Sequence, residues 1–181
     1  MSRINIPDRQ SAPAASQPLL DAVEKQLGVV PNLYRLVGNS PAALEALLGI
    51  NSALGRSLDV ATRARIALAV AQVNGCDYCL SAHAYLAEHL AKLDAAEIAR
   101  NRQGASNDPR AHAAVAFAAR VAAERGRVTD ADLAAVKIAG YSEAQIIEIV
   151  GLVAANVFTN FVNNVAQTDI DFPVVRAAEA A

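Results

Sequence analysis

Apolar residues recur along this chain at intervals of three and four, the spacing of amphipathic helices. The first such stretch covers residues 17–28, where Leu19, Leu20, Val23 and Leu27 share one face and Gly28 fits the helix end. Apolar and polar residues do not alternate over any long stretch, so no strand is predicted. Further helices are predicted at roughly residues 31–38, 41–55, 59–73, 76–92, 94–103, 109–125, 129–139 and 142–167.

Capping residues and glycines set the limits of these helices. Asp59, Ser142 and either Thr129 or Asp130 have the residue types and positions of N-caps. Asn74-Gly75 is a helix stop, and a new helix begins directly after it. The pattern predicts an all-α fold with a flexible N-terminal arm at 1–16, one domain at 17–173 and a C-terminal tail at 174–181.

Composition adds an expectation about assembly. The chain of 181 residues is rich in alanine and has four Phe, four Tyr and no Trp. Alanine favours helices but contributes little side-chain volume, so the core of each helical subunit is predicted to be thin. We therefore expect the remaining apolar faces to be buried between subunits of a homo-oligomer.

Charge and hydropathy exclude several classes of partner. The net charge is −2 and no basic stripe is visible, which argues against nucleic acid. The N-terminus lacks the apolar core of a secretory signal, and the apolar runs are too short to span a bilayer. We expect a cytoplasmic protein without a membrane partner. Stable disulfides are unusual in that compartment, which makes a close pair of cysteines a candidate for redox or metal chemistry.

The stretch NGCDYCLSAH holds both cysteines of the chain, Cys76 and Cys79, together with His83. On a helix that begins near Cys76, the three side chains fall on one face. Unpaired N–H groups and the helix dipole in the first turn favour a thiolate. The cluster fits a redox dithiol, and a pair of small core residues is the alternative.

A metal site is the third interpretation of the cluster. Zinc needs four ligands, so His89 or His112 would have to join Cys76, Cys79 and His83. No second CxxC and no HxxxH pattern supplies a ligand pair, and His89 lies on a different helix face from His83. We therefore predict neither a metal nor a cofactor.

The segment ALAVAQVNGCDYCLSAH resembles the signature of the carboxymuconolactone decarboxylase/AhpD-like superfamily, in particular its alkylhydroperoxidase branch with CxxCxxxH. The flanking segments agree over roughly residues 17–173. The resemblance implies an all-helical fold, assembly as trimers or hexamers, and reduction of a hydroperoxide substrate by thiols that a dithiol or lipoamide-type reductant restores. It implies that Cys79 attacks the peroxide, Cys76 resolves the intermediate and His83 belongs to the proton relay. The decarboxylase branch generally lacks the cysteine pair.

One position departs from the family pattern. The relay glutamate expected twelve residues before the first cysteine is Ala64 here, and Gln72, on about the same face, cannot accept a proton. Water, Glu88, Glu148 or another carboxylate could serve His83 instead. The departure leaves open a non-peroxidatic redox or ligand-binding protein of the same fold. For the nucleophile, His83 is one turn from Cys79 and two turns from Cys76, so a direct pairing with His83 favours Cys79.

Overall fold

A computed structural model describes residues 2–177. These residues form nine α-helices and no strand, which confirms the all-α prediction. The helices are α1 (Gln17–Leu27), α2 (Asn32–Val37), α3 (Pro41–Leu54), α4 (Val60–Val73), α5 (Asp77–His89), α6 (Ala95–Arg102), α7 (Pro109–Ala123), α8 (Asp130–Ile138) and α9 (Glu143–Ala166).

The predicted N-caps are confirmed. The Asp59 side chain accepts the Thr62 N–H at 2.9 Å and starts α4. Thr129 and Ser142 start α8 and α9, each with a reciprocal capping box. Side-chain oxygens thus satisfy the first free N–H groups of all three helices, which is why short local patterns located these helix starts correctly.

Helix α4 is the centre of the domain. It packs against α5, α6, α7 and α9, and its middle turns, residues 66–71, are buried. The alanines in this stretch, Ala67, Ala69 and Ala71, let neighbouring backbones approach closely on several sides at once. One apolar cluster joins α4 to α7, α8 and α9, and a second joins α4 to α5 and the C-terminal segment.

The two chain ends contact the helical body. Ala12, in the predicted arm, is buried with α1 and α3, and the Arg3 N–H donates to the Ala166 carbonyl at 2.6 Å. Residues 174–177 of the predicted tail lie against α5, while Met1 and residues 178–181 are outside the described part of the chain. The domain limits at 17 and 173 stay predictions.

Helix α9 has an unusual distribution of apolar and polar residues. Its solvent-facing stripe is apolar and consists of Ile147, Val150, Phe158, Phe161 and Val165. At about 100° per residue, the buried residues Asn160 and Asn163 lie on the opposite face. By length and composition alone α9 could cross a membrane, but its polar face is packed inside this helical domain.

A buried carboxylate fastens α6 to α4. Glu97 accepts hydrogen bonds from the Arg65 guanidinium at 2.8 Å, the Asn101 amide at 2.9 Å and the Asn107 N–H at 2.8 Å. Burial opposes the charge, but these donors and the Ser106 hydroxyl hold the pKa of Glu97 at about 2. Since the carboxylate is fully paired within this network, it stabilises the fold.

Glu97→Gln is expected to lower the free energy of unfolding by about 3 kcal/mol at pH 7, because Arg65 loses its buried counter-charge. The folded-state pKa of Glu97 lies below its ordinary value of 4.5. The stabilisation is therefore complete above pH 4.5 and lost as the pH falls towards 2. Urea denaturation at pH 7 and pH 3 measures both effects. A Glu97→Gln protein as stable as wild type at pH 7 would contradict the assignment.

The homo-oligomer remains a prediction, and the apolar stripe of α9 is where we expect the contact. Light scattering at micromolar concentration should give a mass above that of one chain. Ile147→Glu combined with Phe161→Glu should reduce it to the monomer mass, because each change places a charge in an apolar interface. Ile138→Glu, at an isoleucine of α8 that is 85% exposed, is the control. A wild-type monomer would show that the stripe is not an interface.

Candidate functional site

The cysteine pair lies at the junction of α4 and α5, as the Asn74-Gly75 stop predicts. Gly75 has a φ of +60°, a conformation that side-chain-bearing residues adopt only with strain. The chain then turns into Cys76, which is extended (φ −96°, ψ 96°) and is itself the N-cap of α5. The glycine turn thus separates two helices and sets both cysteines in the first turn of the second.

The Cys76 sulfur takes the place of a capping oxygen. Its Sγ accepts the backbone N–H of Cys79 at 3.3 Å, as a Ser or Asp side chain does in an ordinary N-cap. Both cysteines are free thiols, and both are buried, with Cys79 only 3% exposed. The cap holds the two sulfurs next to each other in one turn.

The two sulfurs differ in their hydrogen-bond donors. Cys79 Sγ accepts the Cys76 thiol proton and the Asn163 side-chain N–H, the latter at 3.3 Å. Asn160 also lowers the pKa of Cys79, although its buried amide nitrogen forms no direct hydrogen bond among the described residues. These groups hold the pKa of Cys79 below its ordinary value although burial opposes them.

Cys76 shows the opposite shift. Its hydrogen bond to Cys79 raises the pKa of the Cys76 thiol, and burial and the negative charge on Cys79 raise it further. Two amides of α9 face Cys79, whereas the one backbone N–H of the cap serves Cys76. These contacts favour Cys79 over Cys76 as the sulfur that loses its proton first.

His83 lies one turn after Cys79 but does not pair with it. The half-buried His83 ring is hydrogen-bonded to the side chain of Asn156 on α9, and in residues 2–177 no hydrogen bond joins it to either cysteine. Burial lowers the pKa of His83 to about 4, so the ring is neutral at pH 7. The direct pairing of His83 with Cys79 that the spacing predicts is thus not what this structure shows.

No carboxylate replaces the missing glutamate within the described residues. Ala64 packs against the apolar cluster around the cysteines, and Gln72 is held by the Arg102 guanidinium at 2.9 Å. Glu88 points to solvent, with its side chain 68% exposed, and Glu97 belongs to the α4–α6 network. Among residues 2–177, none forms an ion pair with His83.

The other two histidines lie apart from the cysteines. His89 stacks on the ring of Tyr85, with centroids 4.1 Å apart, and His112 Nδ1 accepts the Ser106 N–H at 3.3 Å. In the part of the chain that the structure describes, no group of three or more potential metal ligands is found.

Comparisons with known proteins agree with this fold. The model of the carboxymuconolactone decarboxylase family matches residues 41–120, which include α4, the cysteine turn and α5. An uncharacterised peroxidase-related protein from Ralstonia eutropha JMP134, described as an alkylhydroperoxidase AhpD core, superposes over 94% of this chain and 92% of its own. Its TM-score is 0.82 and its sequence identity 25%. The family match and the structural likeness together support the carboxymuconolactone decarboxylase/AhpD-like superfamily.

Two further solved structures share the fold at lower identity. A debrominase, Bmp8, in complex with 2,3,4-tribromopyrrole has a TM-score of 0.78 at 21% identity, over 93% of this chain and 91% of its own. A peroxidase-related protein from Silicibacter sp. TM1040 has the same TM-score and coverage at 22% identity. Among curated proteins, none matches this sequence. AhpD-like helical folds thus carry more than one kind of chemistry.

The asparagines of α9 are the site residues that the sequence analysis missed. Asn156, Asn160 and Asn163 recur at intervals of four and three, so they line one face of the helix. Asn160 also accepts the Asn74 side-chain N–H at 2.8 Å, which fixes the cysteine turn against α9. The detectable signal was a polar stripe within an apolar helix, at the spacing that normally marks a buried face.

The C-terminal segment of this AhpD-like chain closes the site from outside. The Ser81 hydroxyl accepts the Val175 N–H at 2.9 Å, and Asp77 accepts the Ala177 N–H at 2.8 Å. The Phe172 ring meets Tyr78 edge-on, with centroids 5.9 Å apart. Phe172 is therefore docked against α5, and the segment shields the first turn of that helix.

Asn163→Ala is expected to raise the pKa of Cys79, because the thiolate loses its side-chain amide donor. His83→Gln should change this pKa less, because His83 pairs with Asn156. Alkylation by iodoacetamide between pH 5 and 10, located by mass spectrometry, gives the pKa of Cys79 in each variant. Asn164→Ala is the matched control, since Asn164 donates to the Asn74 carbonyl and touches neither sulfur. A larger shift in His83→Gln than in Asn163→Ala would restore the histidine as the activating group.

Proposed function

We propose that this protein is a thiol-dependent peroxidase that reduces hydroperoxides through a dithiol/disulfide cycle of Cys76 and Cys79. The observation that carries the proposal is the unequal pair of sulfurs. Cys79 is held towards the thiolate, the form of cysteine that attacks peroxides, and the neighbouring Cys76 keeps its proton. A nucleophile and a resolving thiol in one helical turn are the parts that such a cycle needs.

The chemical step can be written with these two residues alone. The Cys79 thiolate attacks the peroxide oxygen that bears hydrogen, the O–O bond breaks, and Cys79 becomes a sulfenic acid while an alkoxide leaves. The alkoxide takes the thiol proton of Cys76. The Cys76 thiolate then displaces hydroxide from the sulfenic acid and forms the disulfide. Hydroxide takes a proton from solvent, so ROOH and two thiols give ROH, water and one disulfide.

A dithiol of the lipoamide type fits the second half of the cycle. The disulfide joins residues three apart in one turn, so it links no distant segments of the fold. A small dithiol can reduce it by exchange through a mixed disulfide. In this proposal His83 does not deprotonate Cys79 directly. It supports the site as a neutral group paired with Asn156.

A second candidate is a redox or ligand-binding protein that retains the fold without peroxidase turnover. Ala64 favours it, because the relay glutamate of the AhpD-type peroxidases is absent and no carboxylate stands beside His83 in residues 2–177. Steady-state consumption of hydrogen peroxide or tert-butyl hydroperoxide with a dithiol separates the two. Turnover supports the peroxidase, and one equivalent of oxidation per cysteine pair supports the alternative.

A separate experiment tests which cysteine attacks the peroxide and which resolves the intermediate. Cys79→Ser should abolish peroxide-dependent oxidation, with a loss of at least about 100-fold in rate, because the remaining thiol has a raised pKa. Cys76→Ser should still form a sulfenic acid, which dimedone traps and mass spectrometry locates at Cys79. The reverse result, a trapped sulfenic acid in Cys79→Ser alone, would make Cys76 the nucleophile.

A further inference from the structure

A cleft of about 390 Å³ opens beside the cysteine turn, between the start of α5, the end of α9 and the C-terminal segment. Polar and apolar atoms share its wall about equally, and its polar residues include Asp77, Tyr78, Asn163, Asn164, Thr168 and Arg176. Asp77 and Arg176 pair across it at 3.2 Å, so the wall carries no unbalanced charge from these two residues. The cleft suits a small, neutral molecule that offers both an apolar part and a hydrogen-bonding group.

Two buried polar atoms of this wall lack a partner within the described residues. They are Asn163 Oδ1 and Thr168 Oγ1, in side chains of residues that are 2% and 6% exposed. An unpaired buried polar atom costs about 1–3 kcal/mol, so such atoms are ordinarily matched by water or a ligand. The residues that carry these atoms, Asn163 and Thr168, both line the cleft, so the two atoms lie just beneath its surface, where a small side-chain rotation brings them to a ligand.

Asn163 connects this cleft to the reactive sulfur. Neither cysteine forms part of the cleft wall, but the Asn163 amide nitrogen lies 3.3 Å from Cys79 Sγ. The oxygen of the same amide group is the unpaired acceptor. A ligand whose O–H binds this oxygen is thereby brought to the edge of the thiolate.

We propose that the cleft is the substrate site and that it binds small hydroperoxides through Asn163 Oδ1 and Thr168 Oγ1. This inference rests on the proposed peroxidase function. The hydroperoxide O–H donates to Asn163 Oδ1, and the Thr168 hydroxyl donates to the second oxygen, where negative charge develops as the O–O bond breaks. Hydrogen peroxide and tert-butyl hydroperoxide fit within this volume, whereas the extended chain of a lipid hydroperoxide is longer than the cleft.

Steady-state kinetics test the two contacts. Wild type should have a kcat/KM at least tenfold higher for hydrogen peroxide and tert-butyl hydroperoxide than for linoleic acid hydroperoxide. Thr168→Val keeps the side-chain shape, and it should lower kcat/KM for the small substrates about tenfold without moving the pH midpoint of Cys79 alkylation. Thr62→Val, at a buried threonine of α4, is the control. Unchanged kinetics in Thr168→Val, or a preference for the lipid substrate, would overturn the proposal.

Alkylation by iodoacetamide tests the route to Cys79 without any peroxide. Asn164→Phe narrows the cleft at its rim and should slow alkylation of Cys79 at least tenfold relative to Asn164→Ala, which loses the same hydrogen bond but leaves the cleft open. Equal rates in these two variants would overturn the cleft as the route. The two assays separate the two proposals. Absence of peroxide turnover in wild type would contradict the peroxidase function. Slow alkylation of Asn164→Phe in the same protein would still support the cleft as the route to Cys79.

Discussion

Helix α9 meets the cysteine turn through side-chain amides, and the rest of the site depends on this contact. Asn160 binds Asn74 at the end of α4, and Asn163 binds the sulfur of Cys79. Apolar contacts tolerate small shifts, but a buried amide that loses its partner costs about 1–3 kcal/mol. The register of α9 against α4 and α5 is therefore fixed to within one turn, and the cleft at its C-terminal end is fixed with it.

Local features were predictable because each is determined within a few residues. The N-caps at Asp59, Thr129 and Ser142 depend on one side chain and the N–H groups that follow. The break at Gly75 and the position of both sulfurs in the first turn of α5 follow equally from short-range geometry. The fold class and the position of the cysteine pair could therefore be predicted from the sequence alone.

The chemical environment of those sulfurs could not be predicted from the sequence, because the residues that form it come from the far end of the chain. Asn163 is 84 positions from Cys79, and the segment around Val175 that covers α5 is 94 positions from Ser81. His83 shows the same limit. Helical spacing correctly placed it near Cys79, but its hydrogen-bond partner is chosen by α9, which presents Asn156. Spacing along one helix cannot reveal what the facing helix supplies.

Cys79 is stabilised by neutral amides, not by a charged histidine, and this changes how the site responds to pH. A histidine paired with the thiolate would add its own titration near neutrality, whereas Asn160 and Asn163 have no proton to lose. Burial lowers the pKa of His83 to about 4, so its ring is neutral at pH 7 and adds no charge beside the cysteine pair. Hydrogen bonds from neutral side-chain amides are also weakened little by salt. Salt screens interactions between net charges, as in an ion pair, and the amides carry none. The asparagine face of α9 is therefore buried against the cysteine turn, and its apolar stripe is left on the surface of the single chain.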